Sequence, residues 1–408
     1  MLVLVLNVGS SSVKFQLIRT SPEEIEAGTE KKLARGNIEK IGMTTAKVTF
    51  QAEGRPPVKE SPLILEHRVA IERVLTLLTD PTMGVIKDRS EIEAVGHRVV
   101  HGGEKFSKSQ LISEEVYREI VECCELAPLH NPHNVRGYEI ARELLPDVPH
   151  VAVFDTAFHQ TMPEYAYIYG LPMVVYRRYG IRRYGFHGTS HRYLTWRMQK
   201  LLARPASEFN LITCHLGNGC SVAAVQRGAS IDTSMGFTPL EGLVMGTRSG
   251  DLDPAVILHI MAKEELTLHE ANTLLNKHSG LIGVSGVSND MRELVKESRR
   301  GNKPAQLAID LFCYRLKKYI SAYFGALGGA DAVAFTGGIG ENSPLVRALS
   351  CKGLECLGIT VDPERNEKLN GTEAKISRDE ERVGVYIVPT DEEMIIARDT
   401  VYATAGTL

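Results

Sequence analysis

The feature that most limits the fold is a strand–turn–strand unit that occurs twice. Residues 2–18 read LVLVLNVGSSSVKFQLI. Leu2 to Leu6 is continuously apolar, as a strand buried on both faces must be. Beyond the turn, Val13, Phe15 and Leu17 alternate with Lys14 and Gln16, the period of a second strand. A glycine followed by hydroxyl residues and a lysine looks like a phosphate cradle. The stretch nevertheless lacks GxxxxGK[ST] and GxGxxG, both of which lead into a helix, whereas this turn leads into a strand. A weaker copy follows in LITCHLGNGCSVAAV, residues 211–225. One glycine–hydroxyl hairpin alone reads as an ordinary turn; two, one in each half of the chain, point to a duplicated unit facing a shared cleft. Glycine lets backbone amides approach an anion closely, and Ser10, Ser12, Lys14 and Asn218 supply donors.

With 408 residues, of which 43% are apolar, two domains are expected. A net charge of -3 with interspersed signs offers no basic stripe, so neither nucleic acid nor an anionic membrane is the expected partner. The apolar run that opens the chain breaks after Leu6 and has no basic segment before it, unlike a signal peptide or membrane anchor. The cysteines, seven in number and without a CxxC pair, read as reduced thiols of a cytoplasmic protein.

A third glycine cluster, VAFTGGIGENS (333–343), follows a helical pattern in which Ala308, Phe312, Leu316, Ile320 and Tyr323 recur before Gly325, Gly328 and Gly329 end it. Gly337, Gly338 and Gly340 would let a flat ligand, a purine or ribose, lie against the backbone. Between these clusters stand the charged residues. Arg98 in GHRVVHGGEKF and Arg248 in MGTRSGDLDP are embedded among glycines. A guanidinium fork there suits carboxylate or phosphoryl oxygens, the bland alternative being a structural salt bridge. Asp155 ends the apolar run VAVF, where a carboxylate can hold magnesium, orient a nucleophile or merely cap a helix. His187 in RRYGFHGTSH is favoured by its neighbours, whereas His191 is assigned an ordinary satisfied role. His130 in LAPLHNPHN and His215 are further hydrogen-bonding candidates. In PTDEEM, Thr390 and Glu393 fit a capping box, which leaves Glu392 to face an active site from the first turn of the last helix.

In their order along the chain, LNVGSSSVKF, GHRVVHGG, LAPLHNP, VFDTAFHQTMP, RRYGFHGTSH, CHLGNG, MGTRSGDLDP, GGIGENS and PTDEE closely resemble the acetate kinase (acetokinase) family. The resemblance implies an α/β fold of two duplicated ribonuclease H-like, actin-like ATPase domains with an interdomain active-site cleft. One domain would comprise residues 1–150 plus 388–408, the other, nucleotide-binding, residues 151–387. It implies reversible transfer of the ATP γ-phosphoryl group to acetate, giving acetyl phosphate and ADP, with Mg2+, or Mn2+ in its place, and a cytoplasmic homodimer.

By the same resemblance Asn7, Ser10, Ser12 and Lys14 lie on the phosphate side, Asn7 and Glu392 being associated with the metal. Arg98 and Arg248 grip the acyl carboxylate and the migrating phosphoryl group, His187 donates to that group, and Asp155 and Glu392 arrange metal and substrate. Val100, Leu129, Phe186 and Pro239 match the pocket for the acyl methyl, with His130 beside the substrate. His215, Asn218, Gly219, Asp290, Arg292, Gly338, Ile339 and Asn342 match nucleotide-contacting positions. Met291 departs from the larger aromatic or leucine expected there. Two alternatives differ in kind: a propionate or other short-chain acyl kinase, separated only by pocket volume, and a nucleotide-gated clamp without chemistry. The clamp would have no use for Arg98, Arg248, Asp155 and His187 together.

Overall fold

The computed structural model describes residues 1–128 and 130–408. The chain divides into two compact units, one of Met1–Phe158 with Asp391–Leu408 and one of His159–Thr390. The sequence placed the crossings at 150/151 and 387/388. Strand 150–154 pairs within the first sheet, which carries the first crossing beyond it.

The first unit is built on a sheet of eight strands: β1 (Leu2–Val8), β2 (Ser12–Arg19), β3 (Lys31–Glu39), β4 (Lys47–Ala52), β5 (Val58–Glu60), β6 (Ala94–Val99), β7 (Gln110–Leu111) and β8 (His150–Phe154). Their order is β5-β4-β3-β2-β1-β6-β8-β7. β1 is the pivot, antiparallel to β2 and parallel to β6. Its unbroken apolar run serves two faces. Leu2, Leu4, Leu6 and Val8 pack with Val74, Leu78, Ile140 and Ala141 of the helices His67–Leu78 and Asn131–Leu144. Val3 and Val5 turn the other way, onto Ile396, Ala397 and Val401 of the terminal helix Glu392–Ala405. A one-residue slip would exchange the two sets, so the register is strongly specified.

The second unit holds β9 (Asn210–Leu216), β10 (Cys220–Gln226), β11 (Ala229–Thr233), β12 (Ala332–Thr336), β13 (Ala374–Lys375) and β14 (Gly384–Ile387), in the order β11-β10-β9-β12-β14-β13. The duplication is explicit in the pairing. β1-β2-β3 and β9-β10-β11 are both antiparallel meanders, and β6, β8 and β12, β14 continue each sheet in parallel from its first strand. A short antiparallel strand, β7 or β13, closes each parallel edge. Register shifts fall at Leu17/Ile18 and at Ala224/Val225, corresponding places in the second strand of each meander. The long helix Lys303–Ala326 buries Ala308, Phe312, Leu316, Ile320 and Tyr323, the stripe read from the sequence.

The terminal helix corrects one reading. Its N-cap is Asp391, whose carboxylate accepts from Met394 N at 3.3 Å, so Thr390 and Glu393 form no capping box. The acidic pattern starts one residue later than the S/T-x-x-E spacing implies. Thr390 N instead donates to Glu341 Oε1 at 3.1 Å, and Glu393 accepts from Gln16 Nε2 at 3.4 Å. All seven cysteines are free thiols. Among the described residues no helix is long and apolar enough to cross a membrane.

Candidate active site

In the first unit the opening turn is held from inside and from behind. Gly9 N donates to Ser12 O at 2.8 Å, and the His67 ring donates through Nε2 to Gly9 O at 2.8 Å. Ser10 and Lys14 are exposed and Ser12 half-buried, with Asn7 opposite Lys14 in the β1–β2 register. The turn thus offers hydroxyls and an ammonium from a fixed backbone.

Arg98 lies near the end of β6, and Asp155 directly follows its parallel neighbour β8, with Asp155 N donating to Val99 O at 2.9 Å. The pairing brings the two side chains into contact: Arg98 Nη2 donates to Asp155 Oδ2, and Asp155 is fully buried. Arg98 Nη1 reaches Asn7 Oδ1 at 3.4 Å, and Nε faces Glu392 Oε2 at 3.9 Å, too long for a hydrogen bond. Nε therefore remains a buried donor without an acceptor among the described residues. Burial alone would lower the Arg98 pKa; Asp155 and Glu392 more than offset it and hold the guanidinium above its ordinary value. Glu392 enters from the far end of the sequence, in the first turn of the terminal helix, where the helix dipole favours an anion.

The segment after β6 is pinned by two asparagines that sequence reasoning did not single out. Asn134 accepts from Val100 N at 3.0 Å and donates to Val8 O at 2.8 Å, and Asn131 accepts from His101 N at 3.0 Å. His130 is the residue preceding that helix. Leu129 lies outside the described residues.

In the second unit His187 precedes the helix Gly188–Leu202 with φ at 57°, a left-handed conformation that a non-glycine residue adopts at a cost. Its ring is fixed by what surrounds it. Nδ1 lies 2.9 Å from Ser221 Oγ; that hydroxyl is 2.8 Å from His191 Nε2, and His191 Nδ1 is 2.7 Å from Thr213 Oγ1. His215 stacks on His187 with centroids 4.3 Å apart and meets Ser190 Oγ at 2.8 Å. His191 is a satisfied buried residue as expected, yet it also stands behind His187. The i, i+4 spacing of the two at a helix start was the available signal.

Gly219 is where the site stays open. A Cβ there would meet His187 Nε2 at 3.4 Å and Arg248 Nη1 at 3.6 Å, so imidazole and guanidinium face one point. Arg248 Nη1 donates to Pro239 O at 3.0 Å and touches Met245 Sδ at 3.9 Å. No carboxylate lies within ion-pair distance of it among the described residues. Burial pushes its pKa below the ordinary value, and Cys220 only partly opposes the shift. Phe186 is buried beside His187, its carbonyl accepting from His159 Nε2 at 3.1 Å.

A cavity of about 680 Å³ opens in the same unit, within the range of small-molecule sites. It is lined by Asn218, Asp290, Arg292, Gly338, Ile339 and Asn342, and Met291 also reaches it. His215 and Gly219 belong instead to the His187 cluster. Of the glycines in the third cluster only Gly338 lines the cavity; Gly337 and Gly340 are buried in a helix that starts directly after β12. Gly337 is required there, because φ is 77° and a Cβ would strike Leu216 O at 2.7 Å. Asp290 caps the helix Met291–Arg299 and is paired with Arg292, whose hydrogen bonds hold its carboxyl below the usual range.

The family model described as "Acetokinase family" matches residues 2–398. An acetate kinase of Caldicellulosiruptor saccharolyticus is 54% identical over 401 residues, spanning 98% of each chain. One from Caldanaerobacter subterraneus subsp. tengcongensis is 52% identical with the same coverage. The crystal structure of Porphyromonas gingivalis acetate kinase superposes with a TM-score of 0.92 at 46% identity over 99% of both chains. A propionate kinase from Francisella tularensis gives 0.89 at 41% identity over 98% of both.

Proposed function

From the premise that this chain belongs to the acetokinase family and has its two-domain, actin-like ATPase fold, we propose that it is an acetate kinase. It transfers the ATP γ-phosphoryl group reversibly and directly to acetate. The observation that carries the reading is Arg248: a half-buried guanidinium without a carboxylate partner among the described residues, facing the same point as His187 Nε2.

Acetate is ionised at neutral pH, so its oxygen needs no general base to attack the γ-phosphorus. A new P–O bond forms, the bond to the β-phosphate oxygen breaks, and its electron pair leaves with ADP. The barrier lies in bringing two anions together in line, and catalysis of such a step is positioning and charge stabilisation. Asn218, Asp290, Arg292, Gly338, Ile339 and Asn342 are assigned to the nucleotide, and the turn bearing Ser10, Ser12 and Lys14 to the phosphates. Arg98 holds the acid, Arg248 and His187 stabilise the migrating group, and Val100, Phe186 and Pro239 receive the methyl.

The oxygens of Asn7, Asp155 and Glu392 around Arg98 suit a hard divalent cation, which typically takes one or two carboxylates. Among the described residues no three His, Cys, Asp or Glu side chains form a metal cage. Mg2+ would therefore complete its shell with phosphate oxygens and water, and it supplies neutralisation of phosphate charge. A homodimer is proposed too. The helix Pro254–Glu264, PAVILHIMAKE, buries none of its residues, leaving Leu258 67% exposed and Val256 46%.

The test is ATP-dependent acyl phosphate formation, trapped with hydroxylamine, across acetate, propionate and butyrate. Acetate is expected to give the highest kcat/KM. Preference for propionate would reassign the substrate, and no product from any acid would overturn the reading in favour of a nucleotide clamp.

A further inference from the structure

Ser234–Gly250 of the second unit has no regular secondary structure, yet it carries Pro239 and Arg248. Irregular backbone is costly to order, so something must fix it. Arg183 does much of this. Its Nη1 donates to the carbonyls of Thr233, Ser234 and Met235 at 2.9, 3.3 and 3.2 Å, and Nη2 donates to Glu241 Oε1 at 2.6 Å. The other Glu241 oxygen accepts from the Tyr169 hydroxyl at 2.5 Å, and that hydroxyl accepts from Phe237 N at 2.8 Å. Gly236 O accepts from Tyr184 N and Gly185 N at 3.1 and 3.2 Å. A Cβ at Gly236 would strike Glu241 Oε2 and Tyr169 Oη, so those side chains would have to shift to admit one.

The bonds stop on either side of Pro239. Residues 233–237 and Glu241 are tied to Tyr169 and Arg183, and the short span between them presents Pro239, whose carbonyl receives Arg248. Burial and then Glu241 raise the Tyr169 hydroxyl pKa, which keeps it a donor at working pH.

We infer that Tyr169, Glu241 and Arg183 are positioning residues that set the Pro239 turn against Arg248 and thereby fix which short-chain acid is preferred. The inference rests on the acyl-kinase reading above. It differs from a purely structural role because the clamp's output is a distance between a pocket wall and a cation. A shift comparable to one methylene changes discrimination between neighbouring acids by about 10-fold.

Tyr169→Phe removes the hydroxyl and keeps the ring. kcat and KM for acetate, propionate and butyrate would be measured by hydroxylamine trapping, with KM for ATP and the melting temperature alongside. The acetate-to-propionate ratio of kcat/KM is expected to change by about 5-fold or more, with KM for ATP within about two-fold of the parent. Glu241→Gln, nearly isosteric, provides the same readout should Tyr169→Phe not fold. An unchanged ratio in a folded variant, even with lower overall turnover, overturns the inference. A parent enzyme that makes no acyl phosphate overturns the underlying reading instead.

Discussion

Arg98 and Arg248 are assigned to one reaction, but the two units treat them in opposite ways. Arg98 meets a buried aspartate, an asparagine oxygen and a nearby glutamate. Arg248 meets a backbone carbonyl and a thioether. Both lose hydration, but only one gains carboxylates, so burial's downward pull is overcome at Arg98 and left standing at Arg248. The difference teaches what each can give. The charge of Arg98 is largely answered before substrate arrives, which suits holding an acid in a fixed place. That of Arg248 is answered only by polar atoms, which leaves it to meet charge developing on the transferred group.

The largest expected effect sharpens that contrast. Arg248→Ala is expected to lower kcat by about 10³ to 10⁵, the range of an arginine that stabilises phosphoryl transfer. Its melting temperature should hold or rise, because a poorly compensated cation is removed. Steady-state kinetics with calorimetry decide this; near-parental kcat would break the assignment. Arg98→Ala is expected to differ in kind. It takes a guanidinium partner from Asp155, which is fully buried, and should cost about 3 to 5 kcal/mol of stability as well as activity. Asp155→Asn in the Arg98→Ala background should recover much of the stability but not the turnover. Equal stability losses in the two arginine variants would erase the distinction.

A smaller effect probes the second unit alone. Ser221 Oγ lies between His187 Nδ1 and His191 Nε2. Ser221→Ala removes that link and is expected to cost about 1 to 2 kcal/mol in kcat/KM, roughly 10-fold, with KM for ATP little changed. A parental pH–rate profile and rate would show that the hydroxyl does not orient the ring.

Much of this was legible in the sequence because it is local. The two hairpins, the helix Lys303–Ala326 and the strand-end position of Asp155 follow from periodicity and turn chemistry, and the pairing confirms them. The family motifs supplied the candidate residues. What stayed hidden depends on contacts distant in the chain. Asn134 reaches Val8 across 126 positions, Glu393 reaches Gln16 across 377, and Tyr169 meets Glu241 across 72. The capping-box error has the same origin, since Thr390 satisfies the local pattern but spends its amide on Glu341. Nothing in the sequence could show that one arginine would find carboxylates and the other would not.

The smallest effect contrasts the imidazoles of the two units. Behind the strand that bears Arg98, His97 Nε2 and His150 Nδ1 are 2.9 Å apart, and His150 Nε2 donates to Leu145 O at 3.0 Å. His150 Nδ1 is then an acceptor, His97 donates, and both rings are neutral. Burial lowers both pKa values, the more so for His97 through its neighbour, while the Leu145 carbonyl partly opposes the shift at His150. The unfolded chain, with histidines near 6.5, therefore binds more protons than the folded one as pH falls below that value. Stability contributed by the pair is full above about 6.5 and declines as pH falls toward the folded values, by at most about 0.7 kcal/mol per imidazole between pH 7 and pH 6. Denaturant unfolding at the two pH values measures the loss. The imidazole resonances of His97 should stay flat across that interval and those of His150 should titrate below about 6.5; a midpoint near 6.5 for either would mean that the pair is open to solvent and that the strand carrying Arg98 is not backed as described.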